Sequence, residues 1–297
     1  MTEFIRTRVS YDGLENRPQR YPEIPEPLEV GTYDNHTHLE IADGDQPLSV
    51  ADHIELMKHT GMKGAVQVGV TLDSSRWSAE VAQSEPMLLA AVALHPNEAP
   101  LYETKAKLDE AIGEIAELAT RERVVAIGET GLDFFRTEGE DQLALQQYSF
   151  EQHIEIAKQN DIAMQIHDRE AHDQVLSTLN RVGAPERTVF HCFSGDVDLV
   201  EIAKPKGWFI SFAGNITFKK NQYLRDALLA CDLTQILIET DAPFLTPEPL
   251  RGRPNAPYLV PHTLRFMAEV LGMGTNQLAE QINSNTEAAY GSWSQGL

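Results

Sequence analysis

Seven imidazole and carboxylate side chains follow short apolar runs of this sequence: His36 and His38 in DNHTHLE, His95 in ALHPNEA, Glu129 in AIGETGLD, His167 in MQIHDRE, His191 in VFHCFSG and Asp241 in LIETDAP. Imidazole nitrogens and carboxylate oxygens are the ligands of zinc, manganese and similar ions, with magnesium at an oxygen-rich position. A cation held this way lowers the pKa of its water from about 15.7 toward about 7 and so supplies hydroxide at neutral pH. In extended chain the side chains at i and i+2 point the same way, so His36 and His38 can reach one cation together. That pair alone is a weak signal in a chain with 10 histidines, and it gains weight from the other five residues. His53, His59, His153, His172 and His262 lie in helix-like segments and read as ordinary histidines. Cys192 neighbours His191, but strand alternation turns it to the other side, which favours a buried structural thiol over a nucleophile.

Residues so far apart act together only if the fold gathers them. Apolar, β-rich runs occur at residues 32–35, 64–69, 88–94, 124–128, 162–166, 188–190, 208–213 and 235–238. Most are continuously apolar rather than alternating, as expected of strands buried on both faces of a parallel sheet. Helix-compatible segments separate and close them, among them residues 106–120, 142–159, 173–181, 257–271 and 276–290. Strand and helix in eightfold alternation predict a single-domain α/β protein, a (β/α)₈ TIM-type barrel, with a doubly wound open sheet as the rival. In such a barrel the C-terminal strand ends share one mouth, and all seven residues would line it. Residues 1–31 read as an N-terminal extension, with four prolines between positions 18 and 27 and no helical or strand period, and residues 32–297 as the barrel.

Composition narrows the setting. At 297 residues and 42% hydrophobic, the chain can bury a sizeable core. No apolar stretch approaches the roughly 18–20 residues that span a bilayer, and the first twenty residues lack a secretory h-region. Two cysteines make no disulfide framework, so a reducing cytoplasm is expected. The formal net charge of −21 repels nucleic acid over most of the surface. No basic stripe, zinc finger or aromatic platform for specific recognition stands out.

The segments DNHTHLE (34–40), ALHPNEA (93–99), AIGETGLDF (126–134), QIHDRE (165–170), FHCFSG (190–195), IETDAPFLTP (238–247) and RGRPNAP (251–257) resemble the TatD family of metal-dependent hydrolases in order and spacing. The resemblance spans most of the chain. It implies one or two divalent cations, with His36 and His38 binding one together with Asp241, Glu129 bridging, and His167 and His191 binding the second. It places His95 beside a scissile phosphate and Arg251 and Arg253 in a loop near the mouth. Family members are described as deoxyribonucleases, and related members act on aminoacyl-tRNA or other esters. Asn97 stands where many relatives carry a second histidine, and the Pro-rich extension is not typical of them.

The expected reaction is therefore phosphodiester hydrolysis by metal-activated water, 3'-5' exonuclease-like on single-stranded DNA or ends and without sequence readout. Asp241 would accept the proton of attacking water, and Glu129 would hold and bridge the ions. Arg169, Arg251 and Arg253 would grip phosphate by forked hydrogen bonds. Asp133 would either orient a histidine or cap its own turn. DNA is the expected partner, with no membrane and no tightly bound organic cofactor. Two rival readings use the same residues: an amidohydrolase-type enzyme on a small ester, lactone, amide or aminoacyl ester, and a non-enzymatic scaffold with a closed metal site.

Overall fold

The structure, a computed structural model, describes residues 4–8 and 19–293. Parts of the expected extension (1–3 and 9–18) and the last four residues lie outside the described residues.

Eight strands form one parallel sheet: β1 (Tyr33–Thr37), β2 (Gly64–Val68), β3 (Leu88–Val92), β4 (Val124–Asp133), β5 (Ala163–Arg169), β6 (Thr188–Phe190), β7 (Phe209–Phe212) and β8 (Ile236–Ile238). GAVQV of β2 and LLAAV of β3 are buried at every position, which is why these runs carry no alternation. The sheet closes between its first and last strands. The backbone N–H of Asp241 donates to the His36 carbonyl at 2.9 Å, and that of His38 to the Ala242 carbonyl at 2.9 Å. Thr37 and Ala242 form a parallel bridge there. Closure excludes the doubly wound alternative and makes the fold a (β/α)₈ barrel.

A helix follows each strand: α1 (Val50–His59), α2 (Leu72–Ser84), α3 (Lys105–Leu118), α4 (Glu140–Asn160), α5 (His172–Val182), α6 (Val197–Ala203), α7 (Gln222–Ala230) and α8 (Val260–Leu271). Capping boxes start α1 (Ser49 with Asp52) and α2 (Thr71 with Ser74), each satisfying two otherwise orphaned backbone donors. An additional helix, α9 (Thr275–Tyr290), runs to the N-terminal end of the barrel. There Trp293 stacks on Tyr33 at 4.1 Å and its indole N–H donates to the Met87 carbonyl.

Residues 19–31 form a strap over the outside of the barrel. Proline-rich extended chain makes no hydrogen bonds of its own, so its carbonyls need other donors. Arg253 donates to Arg20 and Tyr21, Tyr258 to Pro22, Arg265 to Glu26 and Asn283 to Gly31. Upstream, Arg6–Thr7 pairs in parallel with Ile41–Ala42.

Candidate metal centre

Two strands run further than their apolar runs indicate, and the site depends on it. β4 continues to Asp133 and β5 to Arg169, so Glu129 and His167 sit inside strands rather than just beyond them. Glycines allow this close approach. A Cβ at Gly128 would meet Gln165 Cβ at 2.6 Å, and one at Gly131, whose φ is +146°, would collide with the His167 carbonyl. Asp241, just past β8, takes a left-handed φ of +52° where the chain turns back toward β1.

The other six expected side chains gather around the Glu129 carboxylate, which is 6% exposed. Its Oε2 lies 3.7 Å from His36 Nε2 and 3.8 Å from His38 Nε2, and Asp241 Oδ1 is 3.9 and 3.5 Å from the same two nitrogens. Its Oε1 lies 2.5 Å from His167 Nδ1, 3.0 Å from His191 Nε2 and 3.3 Å from His95 Nε2. One carboxylate thus faces two separate sets of donors.

The opposite nitrogen fixes the orientation of four of these five imidazoles, whereas His36 Nδ1 is buried without a hydrogen-bond partner among the described residues. His38 Nδ1 is 2.9 Å from the Val68 carbonyl, an acceptor only, so Nδ1 carries the proton and Nε2 presents its lone pair inward. His191 Nδ1 reaches Glu239 at 3.0 Å and His167 Nε2 reaches Asp133 at 3.2 Å, with the same consequence. Gln165 lies against His36. His95 is the reverse: its Nδ1 accepts the Asn97 backbone N–H at 3.1 Å, so its Nε2 bears a proton and points inward as a donor. His38, His167 and His191 therefore turn lone pairs inward and suit a cation with His36 beside them, while His95 suits an anionic oxygen.

The electrostatics agree. Burial would raise the pKa of Glu129, but His191, His95 and the hydrogen bonds from His167 and His191 outweigh it and hold the carboxyl well below the ordinary range. Burial opposes a proton on His191, yet Glu129 and Glu239 push its pKa well up. His36, stacked on it at 3.8 Å, is pushed well down by burial and by His191 and His38. The carboxylates of Glu129, Asp241 and Glu239 crowd these imidazoles, so the centre attracts positive charge. A divalent cation supplies that charge with every imidazole neutral, and the His36 and His38 Nε2 atoms, 3.2 Å apart, can both turn toward it. The donor set fits such ions.

Other residues expected near the chemistry divide. Asp133 fills both roles considered for it, holding His167 and accepting from the Phe135 and Arg136 backbone N–H groups at 3.0 and 2.8 Å. Asn97 braces it, donating to Asp133 at 3.0 Å. Arg169 lies over the Phe135 ring and Arg251 over the Phe218 ring, at 3.9 and 4.2 Å. Arg253, expected on phosphate, is instead committed to the strap: besides Arg20 and Tyr21 it pairs with Glu23 at 3.0 Å, which takes up all three guanidinium nitrogens. The Cys192 thiol is pushed well up by burial, then by Asp241, Glu239 and Glu129, so it stays protonated and is no nucleophile. His153 is a satisfied core histidine, accepting the Leu94 N–H at 3.1 Å. Glu239 was not singled out from sequence. It accepts from His191, from the Cys192 N–H at 2.9 Å and from Ser211 at 2.5 Å. Its position in IETDAP, two residues before Asp241, was the available signal.

Among the described residues no helix is long and apolar enough to cross a membrane. Residues 33–291 match the family model described as TatD related DNase. An uncharacterized metal-dependent hydrolase TatD of Mycobacterium tuberculosis is 36% identical over 261 residues, covering 87% of this chain and 97% of that protein. An uncharacterized metal-dependent hydrolase, YabD, of Bacillus subtilis is 29% identical, covering 87% and 98%. The crystal structure of YJJV, a TatD homolog from Escherichia coli, superposes with a TM-score of 0.77 at 26% identity, covering 88% and 98%. The strap before residue 33 lies outside the family match. With a closed barrel, a cation-fitting centre and a family match over most of its length, this chain belongs to the TatD family of metal-dependent hydrolases.

Proposed function

We propose that this hydrolase cleaves phosphodiester bonds of single-stranded DNA or DNA ends, using one or two divalent cations held by His36, His38, Glu129, His167, His191 and Asp241. The observation that carries this reading is the division of Glu129, one oxygen toward His36 and His38 and the other toward His167 and His191. When bound, such cations ionise water and stabilise charge on phosphoryl oxygens.

The protein's own groups supply the rest. Asp241, whose side chain is 15% exposed and hence open to the mouth, accepts the proton of attacking water. The inward N–H of His95 donates to a phosphoryl oxygen. Arg169 and Arg251 present guanidinium edges to phosphate. The family description as a DNase supports the substrate class, and the acidic surface fits weak binding without sequence preference.

The test is to strip metals and assay cleavage of single-stranded DNA with and without added Mg²⁺, Mn²⁺ or Zn²⁺. Cleavage should vanish in chelator and return with one of these ions. Undiminished cleavage in chelator, or in Asp241→Ala, rejects the mechanism. A lactone, an aminoacyl ester and a cyclic amide run beside the DNA separate this reading from the small-substrate one.

A further inference from the structure

Acids outnumber lysines and arginines by 45 to 24 in this chain, and among the described residues Arg6, Arg8, Arg76, Arg181, Arg187 and Arg253 pair with carboxylates. Arg169 and Arg251 are different. Among the described residues neither forms an ion pair, and each lies over a phenylalanine ring, Phe135 and Phe218 respectively. Phe135 is 54% exposed, so it stays open to a ligand beside Arg169.

Both pairs stand at the mouth. Arg169 is two residues past His167 in the same strand, so its side chain leaves β5 on the face that carries the metal centre. Phe135 follows the strand bearing Glu129. Phe218 follows β7, and Arg251 lies in the loop after β8 that carries Asp241. These two loops are tied together by the Glu248 N–H donating to Thr217 Oγ1 at 2.8 Å. The β4–β5 and β7–β8 edges lie on different sides of the barrel, with the centre between them.

A guanidinium over a ring offers a flat π surface together with a fork of unclaimed N–H donors. A nucleotide pairs a flat base with a phosphate in the same way. We infer that Phe135 with Arg169 and Phe218 with Arg251 are two nucleotide subsites flanking the metal centre, each stacking a base and gripping its phosphate, so that the substrate is an unpaired polynucleotide crossing the mouth. This rests on the phosphodiesterase reading and deepens it. It accounts for a strand-binding surface on an acidic protein without a basic stripe, because stacking needs no net charge. A base within a duplex is already stacked on its neighbours and is excluded.

The probes are fluorescein-labelled (dT)₈, a labelled eight-residue abasic chain with the same phosphates, and a (dT)₈ duplex, with binding read by anisotropy and cleavage read separately. Metal-loaded wild type should bind (dT)₈ about 100-fold tighter than the abasic chain, the scale of two stacked bases. Phe135→Leu and Phe218→Leu, which keep the apolar bulk and remove the ring, should each shrink that ratio, and Phe135→Tyr should restore it. Equal binding of (dT)₈ and the abasic chain by wild type overturns the inference, as does a ratio unmoved by both leucine variants or a preference for duplex. Cleavage of (dT)₈ together with equal binding of the abasic chain sinks this inference alone. Base-dependent binding without cleavage supports it and sinks the phosphodiesterase reading alone.

Discussion

The two ends of this barrel are built from the same strands and use polar groups in opposite ways. At the floor, donors and acceptors pair off: Tyr290 of α9 donates to Asn35 Oδ1 and accepts from Gln165, both at 2.9 Å, and Asn35 donates to Ser211 at 2.7 Å. At the mouth, the inward lone pairs of His38, His167 and His191 face two carboxylates, an arrangement that a cation or protons would reconcile. The ends are joined, because Ser211 donates to Glu239 and Glu239 holds His191. A polar group with its partner stabilises a fold, whereas one left open to a ligand gives it a function. The floor is what lets the mouth stay unreconciled.

The strongest way to break this comparison is Glu129→Gln, which leaves the volume and removes the shared charge. Hydrolysis should fall by about 10³-fold, with metal content by elemental analysis falling alongside it. Full metal content with full activity would show that the mouth is no more ligand-dependent than the floor.

Acid separates a satisfied imidazole from the open cluster. Burial pushes the His153 pKa down from 6.5 to about 4. Its stabilising contribution is therefore complete above the ordinary histidine value and is lost as pH falls from there through about 4, because the unfolded chain takes up the proton first. The loss is roughly 3 kcal/mol. Urea unfolding at pH 7 and pH 4 should show a smaller difference in His153→Gln than in wild type.

Glu239→Gln tests the link between the ends. Loss of an outer partner costs about 10–100-fold in metal affinity in sites of this kind. Competition with a chelating dye should show it, with the unfolding midpoint of the apoprotein moving little. A large stability loss with unchanged affinity would assign Glu239 to the floor.

Smallest is Tyr290→Phe, which removes one buried hydroxyl and leaves Asn35 and Gln165 short of a partner. About 1–2 kcal/mol of stability should go, measured by denaturant unfolding, with turnover nearly unchanged. A turnover defect larger than ten-fold would mean that the floor takes part in the chemistry.

Residue type and spacing were enough to name the convergent set His36, His38, His95, Glu129, His167, His191 and Asp241, because strand-end placement follows from the burial pattern of short apolar runs. The extent of β4 and β5 was not legible, since GETGLD and HDR carry no apolar pattern and are held as strand by pairing with each other. Arg253 read as a phosphate ligand from its loop, but the strap it grips lies some 230 residues away in sequence. Phe135 and Phe218 gave no sign of a stacking surface, because their arginines come from other strands and loops.

The sequence by itself determined which side chains are capable of the chemistry and the alternation of elements that brings them to one rim. Only the tertiary structure decided what each one faces: Asp133 behind His167, Glu239 behind His191, a backbone carbonyl behind His38. The reason is physical. An imidazole's tautomer and a guanidinium's direction are set by the group behind them, and in a closed barrel that group comes from another part of the chain.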